Sequence, residues 1–116
     1  DDVTGKAHVS CTLMSGPADN VSYTLALSAG NSNAFLPRQM TSGTTNRLNY
    51  NLYTNASRSR VWGNGGGGTR TVSGKIKLTP GKPTRSKNRS IYGQVPAGQD
   101  AATGNYSDML IMTMTF

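Results

Sequence analysis

Few residues in this chain can do acid–base, nucleophilic or metal chemistry. There is one histidine, His8, and one cysteine, Cys11. The acidic residues are Asp1, Asp2, Asp19, Asp100 and Asp108, and glutamate is absent. A Ser-His-Asp triad is arithmetically available but rests on a single imidazole. A four-ligand zinc site needs more thiols and imidazoles than the chain has. The carboxylates are scattered, each in or beside an expected loop or terminus, so a paired general acid and base is not expected. These counts point away from an enzyme, and neither a metal nor a cofactor is expected.

Several motifs have a functional and a plain reading. Gly63, Gly65 and Gly68 satisfy G-x-G-x-x-G. A dinucleotide site needs a strand before that motif and a helix after it. Strand-like sequence follows Thr69 instead, so the segment reads as a loop. Asn20, Asn55, Asn88 and Asn105 each open an Asn-x-Ser triplet, which an Asn- and Ser-rich chain produces by chance. Trp62 reads as a packing residue at the edge of a sandwich rather than a ligand-stacking one.

Charge is the strongest bulk feature. Twelve Lys and Arg against five Asp give a net charge of +7. Such a field attracts nucleic acid, anionic lipid or acidic polysaccharide without specifying a fold. Lys82, Arg85, Lys87 and Arg89 form one group, expected in a solvated loop between two strands. Arg58, Arg60, Arg70, Lys75 and Lys77 form a second. A nucleic-acid site usually adds aromatic stacking platforms. Only Trp62 and Tyr92 are candidates, so no specific nucleic-acid partner is expected.

The elements that carry these residues come from composition and periodicity. The chain has 116 residues, of which 34% are hydrophobic and 14 are glycine. An average globular protein has about 45–50% apolar residues with glycine included. Glycine buries no side chain, so the core must be thin. This excludes a large α/β enzyme with a deep cofactor cleft. Frequent Gly, Asn, Ser and Thr argue against a helical bundle. No run approaches the ~20 apolar residues of a membrane helix, and no signal-peptide pattern is present. If exported, the chain is expected to be a mature form or a fragment.

Two-residue alternation recurs over 3–13, 21–28, 48–53, 70–78, 90–95 and 106–116. The first run sets Val3, Ala7, Val9, Cys11 and Leu13 against Lys6, His8, Ser10 and Thr12. Cys11 is therefore expected inward and without a disulfide partner, and His8 outward. In the third run Leu48, Tyr50 and Leu52 face Asn49, Asn51 and Tyr53. The last run puts Leu110, Met112, Met114 and Phe116 on one side. Turn residues mark the gaps: Ser15-Gly16-Pro17, Ala29-Gly30-Asn31, Ser42-Gly43, Pro80-Gly81-Lys82-Pro83 and Pro96-Ala97-Gly98. Residues 1–116 are expected to form one all-β domain, a sandwich of about six or seven antiparallel strands.

Four segments together resemble the spore coat protein U domain, found in archaic (Csu-type) chaperone–usher pilus subunits. They are Gly5 to Cys11, Leu48 to Tyr53 with Val61-Trp62-Gly63, Ser73-Gly74-Lys75-Ile76, and Gly104-Asn105-Tyr106-Ser107-Asp108 leading into the alternating tail. The G-x-Y-x-D tail is the most specific of these. Family subunits carry an N-terminal stretch with a donor strand and a first cysteine that bonds to the position of Cys11. That stretch is absent here, so a fragment or a trimmed subunit is expected.

The resemblance implies an immunoglobulin-like sandwich, incomplete and completed by a donor strand. It implies a structural subunit of a surface pilus (fimbria), built by donor-strand complementation and supporting adhesion and biofilm formation. The expected partners are neighbouring subunits, a periplasmic chaperone and an outer-membrane usher. The expected location is the cell surface, with the periplasm before assembly. The donor-strand groove is expected to be lined by Val9, Cys11 and Leu13 on one wall and Leu110, Met112, Met114 and Phe116 on the other. Two alternatives stay open: a carbohydrate- or surface-binding sandwich (a tip adhesin or coat protein), and a basic nucleic-acid module. The basic residues suit an anionic surface or glycan in any of these settings.

Overall fold

A computed structural model describes residues 1–14 and 16–116, so Ser15 of the first expected turn lies outside the described residues. Seven strands form, and no helix occurs among the described residues. They are β1 (Asp2–Thr12), β2 (Asp19–Leu27), β3 (Arg38–Ser42), β4 (Asn46–Tyr53), β5 (Val72–Leu78), β6 (Thr84–Gln94) and β7 (Met112–Thr115). All pairings are antiparallel, in one sheet ordered β1-β6-β4-β3 and another ordered β5-β2-β7. The expected all-β, two-sheet architecture is borne out.

Alternation explains which side chains meet between the sheets. Val9 from β1, Tyr23, Leu25 and Leu27 from β2, and Ile76 and Leu78 from β5 form the buried cluster with Trp62. Cys11, Leu13, Val21, Leu52, Val72, Ile91, Leu110, Met112 and Met114 pack against it while remaining half-buried. The core is thin, as composition requires, and much of its margin is open to solvent.

Trp62 is not at an edge. It is fully buried, and its indole N–H donates to the Leu25 carbonyl at 3.0 Å. The glycine run after it is a loop, as expected, tied by Thr69, whose hydroxyl donates to the Gly66 carbonyl.

The strand limits differ from expectation in three places. β3 was not visible as a strand, because Met40 is its one apolar residue. β6 starts at Thr84, so Arg85, Lys87 and Arg89 lie on a strand and only Lys82 remains in the turn. The reason is register: Thr84 to Gln94 pairs residue for residue with β1, Cys11 facing Arg85 and Val9 facing Lys87. The terminal strand is short because the chain before it is tied elsewhere, and the Met109 and Ile111 N–H groups donate to the side chains of Asp108 and Ser28. Ser107 bridges to Thr41 of β3, and the chain then crosses to the other sheet, where Met112 pairs with Leu27.

Arg38 holds the junction of the two sheets. It is completely buried. Its Nε donates to the Ser28 carbonyl at 3.0 Å and its Nη1 to Asn51 Oδ1 at 2.9 Å. Its Nη2 donates to the carbonyls of Ser28 at 2.7 Å and Trp62 at 2.6 Å. Asn51, expected outward, is therefore buried: its amide also donates to the Phe35 carbonyl at 2.6 Å. Burial pushes the guanidinium pKa down, while the charge of Asp108 and the nearby Tyr50 push it up.

Removing this side chain strands several buried acceptors at once. Arg38→Ala should lower stability by about 3–5 kcal/mol, the range for losing one partner of a buried charged network. Arg38→Lys, which cannot span all the acceptors, should fall between. Urea denaturation monitored by Trp62 fluorescence reads both midpoints.

Candidate functional site

A sheet edge is a row of unpaired backbone donors and acceptors, and proteins normally blunt it. Four strands end the two sheets here, and they are treated unequally. The free side of β3 is covered: Thr41 and Ser107 exchange two backbone hydrogen bonds, both 2.9 Å. β5 carries Lys75 and Lys77, and the Arg89 guanidinium donates to its Ser73 carbonyl at 2.8 Å. β1 carries Lys6 and His8, and His8 Nδ1 lies 2.7 Å from Asn88 Oδ1 on the outward face. β7 has β2 on one side, and among the described residues no strand pairs with its other side. It contains no charge, no proline and no bulky polar group, only Met-Thr-Met-Thr.

The residues expected to line a groove fall as follows. Val9 is buried in the core cluster. Cys11, Leu13, Leu110, Met112 and Met114 are half-buried and pack against that cluster. Phe116 is 87% exposed. A cleft of about 250 Å³ brings Cys11, Met114 and Phe116 together with Val21 and Leu78. Leu13, Leu110 and Met112 flank the core outside this cleft. The Cys11 thiol is free and inward in register, beside Val9 and Leu13.

Sequence reasoning missed the device that positions β7. Asp108 is the hub of the turn into it. One carboxylate oxygen accepts from the backbone N–H groups of Asn31 and Met109, both at 2.9 Å. The other accepts the Tyr50 phenol of β4. The Tyr106 hydroxyl donates to the Ala102 carbonyl at 2.6 Å. The G-x-Y-x-D motif thus anchors the last strand. Gly30 has φ +82°, and a Cβ there would enter the Asp108 carboxylate. That contact requires glycine twice over. The signal was present in the motif, but its partner Tyr50 stands 58 residues away.

Comparison with known proteins agrees with the residues. The Spore Coat Protein U domain model matches residues 1–113. Protein U of Myxococcus xanthus is 34% identical over 114 residues, 97% of this chain and 59% of that protein. The chain spans about 59% of the length of that curated relative. It belongs to the Spore Coat Protein U domain family, which is associated with pilus and coat proteins.

The anchor has a pH signature. Burial, then the Asp108 hydrogen bond and charge, push the Tyr50 phenol above its ordinary value, with Arg38 opposing. A raised value means the fold favours the protonated phenol. Its contribution is complete below the unfolded value of about 10 and is lost as pH climbs beyond it. Stability should therefore fall faster with pH above about 10 in the parent than in Tyr50→Phe, by at most ~1.4 kcal/mol per pH unit. Urea titrations from pH 8 to 11 read the difference in slope.

Proposed function

We propose that this Spore Coat Protein U domain is a structural subunit of a bacterial surface fimbria, joined to its neighbours by donor-strand complementation. The observation that carries the reading is the treatment of edges. One edge is covered and two carry charged side chains, whereas β7 is bare, uncharged and flanked by a half-open core. Strand addition uses such an edge for main-chain hydrogen bonds and adjoining pockets for alternate side chains. The cleft holding Cys11, Met114 and Phe116 supplies one pocket.

In this reading a neighbouring subunit offers the strand, and a periplasmic chaperone offers one before assembly at an outer-membrane usher. The sandwich is of immunoglobulin-like type, short of one strand. A head-to-tail contact does not close on itself, so it yields a filament that supports adhesion and biofilm formation at the cell surface. The chain is not an enzyme, and no cofactor enters the proposal.

Filling the groove would bury four or five side chains at roughly 1.5–3 kcal/mol each, a gross gain of about 10 kcal/mol before ordering costs. A donor peptide with alternating apolar residues should therefore raise the melting temperature strongly. Met112→Asp, whose side chain sits against the core, should abolish peptide binding and polymerisation. Thr113→Asp, on the outward face, should retain both. Calorimetric melting with and without peptide, run beside a polymerisation assay, reads these outcomes. Equal behaviour of the two variants, or a monomer indifferent to peptide, would refute the proposal.

A further inference from the structure

Four of the twelve basic residues gather in one place. Lys75 and Lys77 of β5 and Arg85 and Lys87 of β6 line a single cleft of about 310 Å³, with Asn20 and Ser86 between them. All four cations are exposed, and among the described residues none has a salt bridge or a side-chain hydrogen bond. The ion pair formed elsewhere is Arg58 with Asp2. Asp19, next to Asn20, is exposed at the start of β2 and pairs in register with Leu78, not with the lysines.

The placement is costly for a sandwich. In an antiparallel pair, opposite residues share a face. Arg85 stands opposite Cys11, Lys87 opposite Val9 and Arg89 opposite Ala7, so the three cations occupy the face that elsewhere holds the core. Four like charges around one cleft repel one another, and a bound anion relieves that repulsion. Next to the cleft, at Gly74 of β5, two more polar groups lack partners. Tyr23 is 2% exposed, yet its hydroxyl has no partner, nor does Arg89 Nε. Both side chains crowd the position where a Cβ on Gly74 would stand, which is why glycine occupies it.

We infer that the β5–β6 cleft binds a linear acidic polysaccharide. Same-face residues on a strand recur about every 6.6–7 Å, so Lys75 with Lys77 and Arg85 with Lys87 form two rows of positive charge along one trough. Between the cations stand Asn20 and Ser86, both exposed, whose amide and hydroxyl suit sugar hydroxyls. No aromatic ring lines the cleft, so it lacks the stacking platforms of a single-stranded nucleic-acid site. The inference is independent of strand donation, because this cleft and the β7 edge share no residue.

The test is binding of fluorescently labelled polygalacturonate to the chain in 0.1 M salt, followed by anisotropy. The probes for comparison are neutral dextran, polyglutamate and single- and double-stranded DNA. Replacing Lys75, Lys77, Arg85 and Lys87 together by Gln should weaken polygalacturonate binding more than tenfold. Arg60→Gln with Arg70→Gln, two exposed cations elsewhere, should weaken it less than threefold. The two double variants, one per strand, serve if the quadruple variant melts early. Each should lose part of the affinity. An equal loss in the Arg60 and Arg70 control would reduce the effect to net charge and overturn the site. Tighter binding of DNA or polyglutamate than of polygalacturonate would overturn the assignment to an acidic glycan.

Discussion

A single guanidinium determines how the two sheets meet. Arg38 has no exposed surface, and its donors reach Leu27 and Ser28 at the end of β2, Asn51 on β4 and Trp62 in the following loop. A buried charge is tolerated only when its donors are satisfied. Satisfying them forces these segments to converge on one point. The convergence places the indole in the middle of a core that has few other large side chains. It also brings Tyr50 beside Asp108, whose carboxylate turns the chain into β7. The thin hydrophobic interior is thus supplemented by a polar network, and the last strand is positioned through it.

That arrangement leaves the molecule with edges of different character. Inward- and outward-pointing cations and a backbone bridge blunt β5 and β3, as expected for chains that must avoid indiscriminate pairing. The same protection on β7 would prevent a specific strand from entering. Asp108 pins the start of β7 firmly while its outer side stays bare. A strand acceptor needs this combination of a fixed template and an unsatisfied edge, because ordering the template on binding would consume part of the affinity.

Most of the fold was legible because it follows from two-residue alternation. β1, β2, β4 and β5 appear within a few residues of the expected runs, and the inward position of Cys11 follows from its register. The remainder was hidden for physical reasons. Arginine and asparagine read as surface residues, so nothing local distinguishes Arg38 and Asn51, which are buried by bonds to distant carbonyls. β3 has one apolar residue and no periodic signal. The first half of β6 alternates cations with Ser and Asn and looks like a loop until β1 is laid against it. The family's tail motif was visible, but its mechanical role depends on Tyr50 and Gly30, which only the folded chain brings to Asp108.

The central claim is that the free side of β7 receives an added strand. Amide hydrogen exchange, resolved residue by residue by NMR, reports it directly. In the isolated chain, alternate amides of Met112–Thr115 should exchange as open edge positions while the β2 amides stay protected. On adding a donor peptide, the open amides should slow by orders of magnitude, and backbone contacts from the peptide should appear along β7. Unchanged exchange at β7, or protection that appears at β1 or β5 instead, would contradict the account.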